Sequence, residues 1–435
     1  MNENTRNAWR VSVLVLALVI NPPGARAEIA PAGLEVHEWG TFTSMQGSDG
    51  IDLEGLHHEE EPLPDFVHNL ATLRHPVLPN TPNTPPVPPV PHLPHHPIIH
   101  KGLDFDVNGV TQKMETPVIY FHTQARQHVS VHVEFLRGLL TQFFPAPTAV
   151  TPATDADAGP VDMSTVSRSS LTWEGDVLPG THPDAPAVAA NDPWAFAREV
   201  DAAPFVTTDA HGRSESEHYI FYRGLGSFSL PIRVTAGDQG QPLLANGATE
   251  ALPVAFTVEV GSDTARFRRL GAVAANAPLD ASVDALPLEP KAPAMDRLAA
   301  ALTADLIAQG LFADEARAMV RTWSRQWFGT PGTRVLYLVP QTEIARVLPL
   351  TITPAPLKTV RVLLGRLEYL TPATEAQVES ALKGRRSADA QVRTEAEATL
   401  AKLNRFLEAH VRRALAHTQD PEVRSSAQQL LATLH

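Results

Sequence analysis

Proline sets the first constraint on this chain. Residues 76–97 hold ten prolines, from Pro76 to Pro97. Each removes an amide donor and fixes φ, so this stretch is extended, polyproline-like chain, and neither helix nor inner strand. A second break, rich in Ala, Pro, Thr and Asp, covers 145–167, and a third covers 272–293. The packed structure has to come from the segments between these breaks.

Those segments read as strand first and helix later. Val129, Val131, Val133 and Phe135 alternate with Ser130, His132 and Glu134, the period of a half-buried strand. Pro117 to His122 and Val254 to Val260 have β-branched and aromatic character. His218–Arg223, Gly224-Leu225-Gly226 and Ser227–Val234 read as a hairpin closed by glycines. Leu298, Leu302 and Leu306 have helical spacing, with Gly310 suited to a helix end. Ala316, Met319, Val320, Trp323 and Trp327 predict a second helix over 314–328. Strand returns at 334–339 and 360–367. Thr371-Pro372 and Asp420-Pro421 each join an N-cap to a proline at the first helical position.

The expectation is an α+β fold: a mainly antiparallel, β-sandwich-like region with a helical insertion and a C-terminal helical unit. Its divisions are a signal peptide at 1–27, a β-rich region at 28–271 with an insertion at 76–100, a mixed region at 272–370 and a helical unit at 371–435.

The N-terminus predicts where the chain goes. Arg6 and Arg10 form a basic n-region, Val11–Ile20 is apolar apart from Ser12, and Ala25-Arg26-Ala27 is a small-x-small cleavage pattern. The apolar run is too short to span a bilayer as a helix. Removing residues 1–27 takes away Arg6, Arg10, Arg26 and Glu3, deepening the formal charge from −13 to −15. An acidic chain repels nucleic-acid phosphates and anionic headgroups, so neither nucleic acid nor membrane insertion after cleavage is expected. The absence of cysteine excludes disulfides, thiolate metal sites and thiol nucleophiles. The expected product is a soluble periplasmic or secreted protein.

Several clusters are candidates for chemistry. In Val36-His37-Glu38-Trp39-Gly40-Thr41, His37 is a candidate metal ligand and Glu38 a candidate base, with Trp39 as a binding aromatic. Thr41 occupies the position where a zinc-protease motif needs its second histidine, and a strand would turn His37 and Glu38 to opposite faces. Period two places His128, Ser130, His132 and Glu134 on one face, making His132 and Glu134 candidate ligands or merely a solvated face. Glu115 precedes Thr116-Pro117 and is either a cleft carboxylate or a turn cap. Arg223 is a candidate carboxylate binder or a sheet-edge ion pair. The Pro/His stretch offers weak loop ligands. Five tryptophans follow the signal, two of them expected in a helix core, which is poor equipment for a sugar-stacking platform. No nucleophile elbow, phosphate loop or His-Glu-x-x-His is present.

Four segments carry a resemblance. They are His37-Glu38-Trp39-Gly40-Thr41-Phe42-Thr43-Ser44, Lys113-Met114-Glu115-Thr116-Pro117-Val118-Ile119-Tyr120-Phe121, Phe221-Tyr222-Arg223-Gly224-Leu225-Gly226 and Gly332-Thr333-Arg334-Val335-Leu336-Tyr337-Leu338. Together the chain resembles a family of exported bacterial proteins of uncharacterised activity. The resemblance implies that 76–100 is a local insertion and that His122 stands where an aromatic is usual, which speaks against a metal role for it.

Two functions follow as expectations. The first is an envelope binding or scaffold protein, because no complete catalytic constellation is visible. The second is a divalent-metal-dependent hydrolase built from His37, Glu38 and Glu115, with His132 and Glu134. Its requirement is that His37 and Glu115 come close enough to share one ion.

Overall fold

A computed structural model of the chain describes residues 33–59, 62–70, 101, 103, 107–152, 161–209 and 212–434. The segment expected to be an export signal, residues 1–27, and the Pro/His stretch at 76–100 lie outside the described residues.

The strand Glu35–Gln46 runs through the middle of a ten-stranded sheet. Reading outward on one side come Gln112–His122, Ile220–Gly226, Gly138–Phe144 and His68–Asn69. On the other come Lys358–Tyr369, Gly332–Leu338, Leu252–Val260, Thr264–Val273 and Glu289–Pro290. Every pairing is antiparallel except that of Glu35–Gln46 with Lys358–Tyr369. Parallel neighbours need a crossover; here most of the described chain lies between the two strands, and the C-terminal helices follow the second.

A second sheet covers one face of the first. It is built on Gln127–Leu136 and Arg168–Val177, flanked by Phe205–Thr208 and Leu350–Thr353. The expected alternation holds: Val129, Val131, Val133 and Phe135 are fully buried while the residues between them are not. They share a core with Phe42, Met114, Ile119, Phe121 and Tyr222 of the large sheet. The other face carries helices Lys291–Ala308 and Ala313–Ser324, whose Leu298, Leu302, Met319 and Trp323 pack on Trp39, Val118, Tyr120 and Phe221. The central strands of the large sheet are therefore buried on both faces, and the polar residues they carry have to be paired inside. The architecture is α+β, as expected.

The C-terminal helices Pro372–Gly384, Ala390–Ala401, Leu407–His417 and Pro421–Leu434 form their own core. The Thr371 hydroxyl accepts from the Thr374 amide, and Asp420 accepts from the Glu422 amide, so both proposed start signals act as caps. Arg413 fastens this unit to the turn after Glu35–Gln46 by pairing with Asp49 at 2.8 Å, and within the unit it pairs with Glu375 at 2.8 Å.

The glycine hairpin is corrected. Ile220–Gly226 is one continuous strand, and Ile232–Ala236 belongs to a separate small sheet. Gly224 is inside the ladder because a Cβ there would lie 2.3 Å from the Leu139 carbonyl oxygen. The residue serves close approach of two backbones, not a turn.

Candidate functional site

Irregular backbone aligns across three adjacent strands. Glu35–Gln46 shifts register against Gln112–His122 between Trp39 and Thr41. Gln112–His122 shifts against Ile220–Gly226 at Phe221/Gly224, and the latter shifts against Gly138–Phe144 at Arg223/Gly224. At the centre Thr116 has φ +47°, a conformation that a β-branched residue adopts only under constraint. Gly40 faces it: a Cβ at Gly40 would sit 2.9 Å from the Pro117 Cα. Three of the sequence motifs therefore meet in one fault line. Such bulges re-aim side chains.

The fault turns Glu115 and Arg223 toward the helical face, where they line a pocket with Thr116, Trp194, Phe221 and Trp323. The cavity they enclose holds about 50 Å³, room for a guest of a few heavy atoms. Glu115 is 2.5 Å from the Lys101 ammonium, and the Lys113 and Arg223 cations are 3.7 and 3.6 Å away. Arg223 also donates to Gln142 at 2.6 Å and pairs with Glu59. Burial, with Arg223 and Lys113 nearby, draws the Lys101 ammonium down to about 8 against the opposing pull of Glu115. Arg223 is thus an interior residue of the sheet, correcting the sheet-edge expectation, and Glu115 is no turn cap.

The opposite wall comes from the end of helix Ala313–Ser324, which widens into a π turn at Arg325–Gly329. The fully buried Arg334 caps this turn, donating to the Trp327 and Thr330 carbonyls at 2.6 Å. Thr322, Trp323 and Gln326 line the pocket and are all more than nine-tenths buried. Among the described residues, Thr322 Oγ1, Trp323 Nε1 and Gln326 Oε1 have no hydrogen-bond partner. Trp194 and Trp323 both line the pocket, each more than nine-tenths buried.

The other expected site residues scatter. His37 and Glu38 do face opposite sides of their strand. Glu38 turns to the sandwich core, where it accepts from the Tyr222 hydroxyl and, at 2.6 Å, from Arg361 on the parallel strand. Burial and the Glu38 charge hold the Tyr222 hydroxyl far above its ordinary range. Trp39 is fully buried against Tyr120. His132 contacts the Thr172 hydroxyl at 2.8 Å and Glu134 pairs with Arg168, both on the outer side of the second sheet. His37 pairs in register with Tyr120, whereas Glu115 pairs with Thr41. Four residues of strand separate the two levels by about 13 Å, too far for one ion with bonds of about 2 Å. The grouping of His37, Glu38, Glu115, His132 and Glu134 into one centre is therefore corrected.

His37 has other company. Its Nδ1 lies 2.7 Å from Glu315 Oε2, and His122 Nε2 lies 3.0 Å from Glu315 Oε1. Glu315 also accepts from the Phe312 amide at 2.6 Å, as the third residue of its helix. Burial pushes its carboxyl up, but the bonds from His122, His37 and Phe312 outweigh this and leave it below its ordinary value. His122 opens on a cleft of about 860 Å³ shared with Glu35, Asp201, His218 and Asp314. A third cluster joins His57 and His58 to Glu408, which Arg412 neutralises at 2.7 Å.

Sequence reading missed Thr322, Gln326 and Glu315, and it set His122 aside as a metal ligand. Thr322 and Gln326 are polar residues four apart flanking an apolar helical stripe, a signal that was visible. Glu315 looked like any first-turn acid. No known protein family and no curated protein matches this chain.

Proposed function

We propose that the chain is an exported envelope protein that binds a small neutral polyol, of glycerol size, in the pocket between Thr116 and the Thr322–Gln326 wall. The carrying observation is the set of three buried, unpartnered polar atoms on that wall: two donors, Thr322 Oγ1 and Trp323 Nε1, and one acceptor, Gln326 Oε1. Leaving each without a partner costs about 1–3 kcal/mol; each is out of solvent contact, so a ligand hydroxyl recovers that cost once its side chain rotates toward the pocket. The charged floor argues for a neutral guest, because Glu115, Lys101, Arg223 and Glu59 already answer one another. Aromatic walls with a few convergent polar groups are the usual make-up of a small-molecule site. The basic n-region, short apolar run and Ala25-Arg26-Ala27 support export. No helix among the described residues is long and apolar enough to cross a membrane.

Thermal shift and tryptophan fluorescence with a panel of neutral alditols from glycerol upward, and aldoses as larger comparators, test this reading. At least one should raise Tm and perturb Trp323 emission. Thr322→Val and Gln326→Leu, which keep volume, should each weaken that response by about tenfold, the loss of one buried hydrogen bond. A panel without effect on the wild type, or a response indifferent to both variants, would refute the proposal.

A further inference from the structure

We propose a second site, a mononuclear centre for a divalent metal of the zinc type, held by His37, His122 and Glu315 on the floor of the polar cleft. It lies at the other end of helix Ala313–Ser324 from the polyol pocket and stands independently of that reading.

The donor set is two imidazoles and one carboxylate, the composition of open, three-ligand zinc sites. Candidate donor atoms of the three residues lie within 4.8 Å of one another, although the residues are 278 and 193 positions apart in sequence. Both His37 and Glu315 are fully out of solvent, while the His122 side chain is 13% exposed. A bound ion would thus have protein on one side and the cleft on the other, with a position left for water.

Charge supplies the second argument. A buried carboxylate needs a cation. Elsewhere in this chain arginine or lysine does the work, as Arg361 does for Glu38 and Arg412 for Glu408. Among the described residues no lysine or arginine reaches Glu315, whose only ionisable partners are the two histidines.

His37 supplies the third. Its Nε2 is buried and has no hydrogen-bond partner. The Glu35 carboxylate is 3.8 Å away, on the cleft rim. Metal on Nδ1 requires the proton on Nε2, and ligating histidines characteristically give that second N–H to a carboxylate. Glu35 is placed to accept it after a small side-chain rotation. The ring of Phe312 packs on both imidazoles, at 4.6 and 4.7 Å between centroids, and fixes their planes. His122, read from the resemblance as a poor metal candidate, becomes the ligand that faces the substrate side.

The test uses full-length mature protein without an affinity tag, stripped with chelator and titrated with zinc against a chromophoric competitor. One tight equivalent is expected, with a Kd of about 1 μM or below. Cobalt in the same position should give the intense visible bands of a low-coordinate site. Glu315→Gln retains a side chain able to cap the helix, and His122→Phe restores an aromatic. Both should fold with the wild-type circular dichroism and bind zinc at least tenfold more weakly, while His57→Ala and His132→Ala should not change the tight equivalent. Absence of a tight equivalent in the wild type would overturn the proposal. So would tight binding that survives both Glu315→Gln and His122→Phe, which would assign the metal to other histidines.

Discussion

Gly224 and Thr116 are opposite cases at the residue scale. Gly224 is glycine because a Cβ would strike the Leu139 carbonyl. Gly224→Ala should therefore cost about 1–3 kcal/mol in urea denaturation, the price of overpacking. Thr116 holds a left-handed φ with no glycine to ease it. Thr116→Gly should raise stability by about 1 kcal/mol, and if the strain serves the pocket it should also weaken ligand response. Glu38 is a buried charge answered by Arg361. Arg361→Met strands that charge and should lower stability by about 3–5 kcal/mol. A loss below about 1 kcal/mol would mean that Glu38 does not depend on Arg361 for its stability in the core.

At the scale of elements, Gln127–Leu136 was legible because its alternation reports local geometry: successive side chains of any strand take opposite faces. What those faces meet was not legible. His132 sits on the outer side, so His132→Ala should change stability by less than about 0.5 kcal/mol. Val131→Ala, into the shared core, should cost about 2 kcal/mol. Equal losses in the two variants would mean that the outer face is covered. The helix starts at Thr371-Pro372 and Asp420-Pro421 were readable for the same reason, since a cap acts within four residues. The Gly224-Leu225-Gly226 hairpin was misread because glycine marks both turns and close backbone approach, and only the neighbouring strand distinguishes them.

At the scale of the whole molecule, charge pairs between distant segments carry a pH dependence. Glu408 joins the C-terminal helices to His57 and His58. Burial raises its carboxyl, but His58, His57 and Arg412 more than reverse this and bring it to about 2, below the ordinary 4.5. The folded state therefore holds the proton less tightly than the unfolded state. The resulting stability is complete above pH 4.5 and is lost as pH falls toward 2, by an amount on the order of 3 kcal/mol. Acid unfolding followed by circular dichroism should show that loss, and Glu408→Gln should flatten it. An unchanged acid limb in the variant would place the dependence on other carboxylates.

The amino-acid sequence by itself determined the strand and helix periods, the caps and the α+β class, because each is written in sterics and hydrogen bonds between near neighbours. It also marked the segments around His37, Glu115 and Arg223. Only the tertiary structure decided what they do. Registers across the sheet put His37 and Glu115 on different levels, a fault running through three strands brought Glu115 to Arg223, and one helix delivered Glu315 to the first level and Thr322 to the second. Contacts between residues hundreds of positions apart depend on which strands pair and in what register, and that is set by the burial of the whole sheet between its two layers.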